Sequence, residues 1–241
     1  MNRFENSLSL QGLFSGDNRK PTFILLLTPF LLTTFKYYGS KNFYLNQLSA
    51  SFVLFENAAL TAEYYAFASS FVLLGIIPLM IIKFVFKESL ASYGLQIGDW
   101  TFGLKAFLVL APIMILSTYP SSRMPQFLEE YPLYKGVGLN AMIFFNHALS
   151  YLFFYIGWEI FFRGFMQFGL REKLGDWFSI LTQVLASCLL HIGKPDGEIY
   201  ASIVGGIVWG IVAFRARSIV YIILVHWLLG VSLDFYICFV H

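Results

Sequence analysis

At 241 residues the chain is long enough for one domain or two small ones. Apolar residues make up 58% of it and charged residues only 12%, against about 25% charged in a soluble domain, so the composition is that of a membrane protein. The net charge of +2 is too small and too dispersed to point to nucleic acid as a partner.

The segment 1–20 is polar and mixed in charge, and is expected to be a cytoplasmic N-terminal segment. It does not read as a signal peptide: the apolar run starts late, is followed by Lys36, and has no small-residue cleavage site. No Gly follows Met1 and no CaaX box ends the chain, so no lipid anchor is expected. Cys188 and Cys238 lie in apolar segments outside any CxxC pair, which implies no disulfide framework.

Charge-free runs give the expected spans: Pro21–Phe35, Tyr64–Ile82, Ala106–Ser122, Gly136–Trp158, Trp177–Gly193, Ile199–Phe214 and Ser218–Leu233. Spanning takes ~17–25 residues, so several runs must extend past a flanking charge that can snorkel. The expected fold is therefore all-α and polytopic, with about seven transmembrane helices. Asn42–Leu60, broken by Asn46, Gln47 and Glu56, reads as an interfacial helix or a poor eighth span. Residues 21–135 would hold three spans and polar loops, and 136–241 a core of four spans.

Eleven Lys and Arg fall in one set of alternate loops and five in the other. The positive-inside rule then places the N-terminus in the cytoplasm and the C-terminus outside.

The informative stretch is Tyr155-Ile-Gly-Trp-Glu-Ile-Phe-Phe-Arg-Gly-Phe165, which sets Glu159 and Arg163 four residues apart in an apolar run. Charges at the bilayer centre cost ~2.5–3.5 kcal/mol even on insertion scales, so such residues are by default functional. Ile160–Leu170 is apolar apart from Arg163 and Gln167, so the fourth helix should continue to about Leu170, displacing Gly136–Met142 to a loop. At ~1.5 Å per residue, Glu159 then lies ~16–17 Å from the cytoplasmic end, His191 ~21 Å along the fifth helix and His226 ~12 Å along the seventh. Three helices thus bring a carboxylate and two imidazoles to one layer.

Gln183, Ser187 and His191 recur at i, i+4 and i+8 as a polar stripe on the fifth helix, which should break at Gly193 and Pro195. That break gathers Lys194, Asp196 and Glu198. Gly206-Ile-Val-Trp-Gly210 is a GxxxG that permits close helix contact. His147 and His241 lie near segment ends and are assigned no role.

Three mechanisms suit this set. Glu159 or a nearby carboxylate, with His191, could activate water for attack on a peptide carbonyl while His226 donates to the oxyanion and Arg163 holds Glu159. Glu159, His191 and His226 could instead bind Zn²⁺ as a His₂Glu site. A proton relay or ion site in a small transporter is the third. HExxH, GxGD and GxSG motifs are absent, and no Lys follows Lys194 to carry a retinal.

Glu159-Ile-Phe-Phe-Arg163-Gly164, then His191 ending an apolar helix, then His226, resembles the CPBP family of CAAX prenyl protease type 2 and bacteriocin-processing (Abi) membrane proteins. The resemblance covers Asn146 to about Asp234 and follows the family's EExxxR, FxxxH and HxxxN/D motifs. It implies a glutamic intramembrane endopeptidase acting without cofactor on a peptide or membrane-anchored substrate, in the inner (plasma) membrane of a bacterium. Three positions depart from the pattern: Trp158 replaces the first Glu, Ser187 the Phe, and Gly230 the Asn/Asp. Asp234 is a distant substitute for that last residue, and Glu198 a candidate second carboxylate. The alternatives are a non-catalytic scaffold or bacteriocin-immunity protein on the same fold, or a small proton-coupled transporter.

Overall fold

The computed structural model describes residues 9–240. Residues 1–8, with Arg3 of the charge count, and His241 lie outside the described residues.

In an apolar medium the backbone must satisfy its own N–H and C=O groups, and a helix does so within one segment. The chain is accordingly 82% helical, with no strand among the described residues. In chain order the long helices are α1 (Arg19–Tyr38), α2 (Ala58–Phe86) and α3 (Trp100–Ser121). A helical run of 50 residues, Ala141–Leu190, follows. It is broken at Gly175 (φ 72, ψ 175) into α4 (residues 141–174) and α5 (residues 176–190). Then come α6 (Asp196–Ala216) and α7 (Val220–Phe239).

Side-chain caps begin three of these helices. Asn57, Asp99 and Asn140 accept from the backbone N–H groups of Leu60 (2.9 Å), Phe102 (3.1 Å) and Ile143 (2.9 Å). Each such cap is worth ~1 kcal/mol. Of the expected Gly136–Met142 loop, Gly136–Leu139 is loop and short 3₁₀ turn, whereas Ala141 and Met142 already belong to α4, which starts at Ala141. The helix also continues past Leu170, with a π-wound stretch over Ile160–Phe168.

Five stretches are long and apolar enough to cross a membrane, where seven were expected. The expected fourth and fifth spans fall within the single run Ala141–Leu190, and Pro21–Phe35 lies in α1, which is not among the five. Asn42–Leu60 is neither an interfacial helix along its length nor a span. It forms a short helical segment up to Leu48, then irregular backbone up to the Asn57 cap.

The central helix is α4. Its Trp158, Phe161, Phe162, Phe165 and Met166 form one buried cluster with Ile24 and Leu31 of α1 and Leu74 and Ile82 of α2. On its other side it meets α7, which also lies along α3. Small residues set the closest crossing, as expected where helices pack in a membrane. A Cβ at Gly157 would stand 2.5 Å from the Ser70 carbonyl oxygen, and one at Gly75 would stand 3.3 Å from Gly157 Cα. The Ser70 hydroxyl donates to the Phe154 carbonyl across the same crossing (3.1 Å). The expected GxxxG contact between α5 and α6 is also present: a Cβ at Gly206 would meet Val184 at 2.9 Å.

The α2–α4 crossing sets a prediction. Gly157→Val forces two backbones apart, and overpacking of this kind costs about 1–3 kcal/mol. The thermal unfolding midpoint of the purified protein in detergent is expected to fall, and to fall less for Gly205→Ala, whose nearest neighbour would be 3.8 Å away.

Candidate functional site

Stepping by four along α4, the chain places His147, Tyr151, Tyr155, Glu159 and Arg163 on a single stripe, and all five are buried. The facing stripe of α7 carries His226, Gly230 and Asp234 at the same interval. The two stripes meet along their length: Glu159 with His226, Tyr155 with Gly230, and His147 with Asp234.

At the centre, one oxygen does most of the bonding. Glu159 Oε1 accepts from Arg163 Nη1 at 3.1 Å and is 2.7 Å from His226 Nδ1. Glu159 is fully enclosed (0% exposed) and Arg163 is 1% exposed. A carboxylate can only accept, so the proton of the His226 imidazole sits on Nδ1 and the Nε2 lone pair is free. The His226 side chain is 12% exposed, which makes it the open member of the trio. The rings of Tyr155 and Trp209 flank it, each with its centroid 4.4 Å away, and Trp209 also lies 5.4 Å from the Arg163 guanidinium.

His191 ends α5. Its Nδ1 is 2.8 Å from the Ser187 carbonyl oxygen, which can only accept, so Nε2 is again the free nitrogen. It lies edge to face with Trp158 at 5.4 Å and within electrostatic reach of His226 and Arg163. The polar stripe expected on α5 therefore faces inward. Gln183, one turn before Ser187, donates to the Gly206 carbonyl at 3.0 Å, and Gln167 of α4 donates to that of Gly210 at 2.9 Å.

Trp158 packs between Phe154 and Phe162, its indole N–H buried without a partner among the described residues. The ring preceding Glu159 thus belongs to the α1–α2–α4 core.

Glu198 stands apart from this centre. Both of its oxygens are 2.9 Å from the Tyr131 hydroxyl, and none of its hydrogen bonds or ion pairs reaches Glu159, His191 or His226. Its neighbours Lys194 and Asp196 bind Glu130 (2.5 Å) and Gln126 (3.4 Å), so the short helix Pro125–Glu130 lies across the α5–α6 turn. Burial alone would raise the Glu130 carboxyl, but Lys194, Lys41 and Lys135 together hold it below the usual range. Burial and the adjacent Glu198 push the Tyr131 phenol well above its ordinary value.

Asp234 does not replace the missing group beside His226. Its Oδ2 pairs instead with His147 Nδ1 at 3.7 Å, eight residues further along α7. His147, expected near a segment end, is buried in this second pair. The space beside Gly230 is occupied by Tyr155, whose hydroxyl oxygen would lie 2.1 Å from a Cβ there. Tyr151, Tyr155 and the His147–Asp234 pair are the residues that sequence reasoning missed. Their signal was present as the four-residue interval running back from Glu159.

Among the described residues no group of three His, Cys, Asp or Glu side chains is arranged to hold a metal ion. Glu159 Oε1 is already shared between a guanidinium and an imidazole N–H, and Arg163 would repel a cation at that place.

No curated protein and no solved structure matches the chain. A family match does cover the part of the chain that holds the site, from the cap of α4 to the middle of α7. Residues 140–232, which carry Glu159, Arg163, His191 and His226, match the family described as type II CAAX prenyl endopeptidase Rce1-like.

Proposed function

We propose that this chain is an intramembrane endopeptidase of the CAAX type that hydrolyses a peptide bond in a peptide or membrane-anchored substrate. The observation that carries this reading is the 2.7 Å contact of His226 Nδ1 with a Glu159 carboxylate that Arg163 holds in place. A carboxylate that fixes the tautomer and orientation of an imidazole makes its other nitrogen a general base.

The hydrogen-bond pattern supports a division of roles different from the one first expected, with His226 rather than Glu159 as the base. Glu159 is enclosed and has no surface to offer water, while the His226 side chain is 12% exposed. His226 Nε2 takes a proton from water as the water oxygen bonds to the carbonyl carbon and the carbonyl π pair moves onto oxygen. When the tetrahedral species collapses, C=O re-forms, the C–N bond breaks, and the imidazolium returns its proton to the leaving nitrogen. His191 Nε2 can accept the second hydrogen of the attacking water and orient it. Glu159 and Arg163 are positioning residues in this scheme. No cofactor is required, and nothing in the scheme restricts the substrate to prenylated peptides.

The second reading is a non-catalytic scaffold or bacteriocin-immunity protein, favoured by one observation: a tryptophan packs where the family places its first carboxylate. For either function we place the chain in the inner membrane with its N-terminus in the cytoplasm, on the distribution of Lys and Arg.

Purified protein in detergent with a reporter peptide separates the readings. Removing a general base costs typically 10²–10⁴-fold, so His226→Ala and Glu159→Gln are both expected to lower kcat by about that factor. Equal rates for wild type and both variants would overturn the protease reading. Glu198→Gln is expected to keep wild-type activity, because Tyr131 holds that carboxylate away from the centre. Activity is also expected to survive a strong zinc chelator; loss on chelation with recovery on added Zn²⁺ would return the zinc mechanism.

A further inference from the structure

The scheme above leaves the oxyanion without a donor. Arg163 donates to Glu159 through Nη1 and is 1% exposed, and the Trp158 indole belongs to the core cluster on the α1–α2 side of α4. Tyr155 lies on the other side. Its ring covers His226 at 4.4 Å, and its hydroxyl oxygen reaches so close to the α7 backbone that a Cβ at position 230 would be only 2.1 Å away. Residues i and i+4 on a helix are neighbours about 5–6 Å apart, so Gly230 is one step along α7 from His226 on the same face. The phenol therefore occupies the place that a side chain at 230 would fill, one helical turn along α7 from His226.

We propose that Tyr155 is a catalytic residue: its hydroxyl donates the hydrogen bond that stabilises the oxyanion formed when water attacks under His226. Gly230 is then a requirement of the site, since any side chain there displaces the phenol. The proposal rests on the protease reading and adds a residue to it. The donor gives no proton away; it strengthens one hydrogen bond as charge builds on the carbonyl oxygen and relaxes when C=O re-forms.

The test is a comparison of Tyr155→Phe, Gly230→Ala and the double variant with wild type, using the full chain in detergent and the reporter peptide. Tyr155→Phe removes one oxygen and keeps the ring on His226. Loss of one oxyanion donor lowers kcat by about 10²–10³-fold, and that loss is expected here with KM little changed. Gly230→Ala is expected to lower kcat similarly, and the double variant to be no worse than either single one, because both act on the same hydroxyl. Tyr44→Phe is the structural control: it loses a buried tyrosine hydroxyl that donates to the Phe52 carbonyl, away from the α4–α7 crossing, and is expected to keep wild-type kcat. Thermal midpoints measured on all variants separate loss of folding from loss of chemistry. Wild-type kcat in Tyr155→Phe, or an equal loss in Tyr44→Phe, overturns the assignment while inactive Glu159→Gln keeps the protease reading. Full activity in Glu159→Gln overturns the protease reading itself.

Discussion

The structure depends on one oxygen atom. Glu159 Oε1 joins Arg163 on its own helix to His226 on α7, inside a bundle whose other side chains are largely apolar. A charge in that setting is tolerable only when paired, and breaking a buried pair costs about 3–5 kcal/mol because the remaining partner is left uncompensated. The interaction therefore fixes the register of α4 against α7, and a slip of one turn would strand three polar groups. Everything the site does follows from that register.

Around this contact the aromatic residues act as walls. Tyr155 and Trp209 hold the His226 ring between them, and Trp158 with Phe154 and Phe162 seals the opposite side of α4. Glutamine side chains and glycine backbones complete the arrangement. Gln183 and Gln167 donate to the carbonyls of Gly206 and Gly210, so the close-packed face of α6 is also tied by hydrogen bonds to α5 and α4. In a bundle without a hydrophobic drive between helices, such contacts through small residues and amides supply the specificity. The end of the bundle at the α5–α6 turn is organised separately: Lys194–Glu130 and Tyr131–Glu198 bind the Pro125–Glu130 segment over that turn.

In the proposed scheme, Trp158 is the reason the base shifts from a carboxylate to an imidazole. With an indole packed at that position, one carboxylate remains, and it is enclosed by the groups it orients. An enclosed carboxylate polarises a neighbour better than it activates water, which moves the base to the imidazole with an open nitrogen. The same economy applies at position 230, where the absence of a side chain admits a tyrosine from the facing helix.

The sequence alone was enough for much of this. Long apolar runs with rare charges read as membrane helices because backbone and charge both have to be satisfied without water. Glu159, Arg163, His191 and His226 stood out because each is expensive where it lies, and their depths along three helices agreed. The extension of the fourth helix to about Leu170 and the break at Gly193 were also legible from local chemistry. What the sequence could not decide was which polar groups touch. Spacing along a helix places a residue on a face but not opposite a partner, so Asp234 was read as a neighbour of His226 when it pairs with His147, and Glu198 as a second carboxylate when Tyr131 holds it. Gly230 read as a missing group, because only the crossing of α4 and α7 brings the Tyr155 hydroxyl to it. Burial costs are written in composition and period, but pair identities arise from how helices cross, and those were settled only in the tertiary structure.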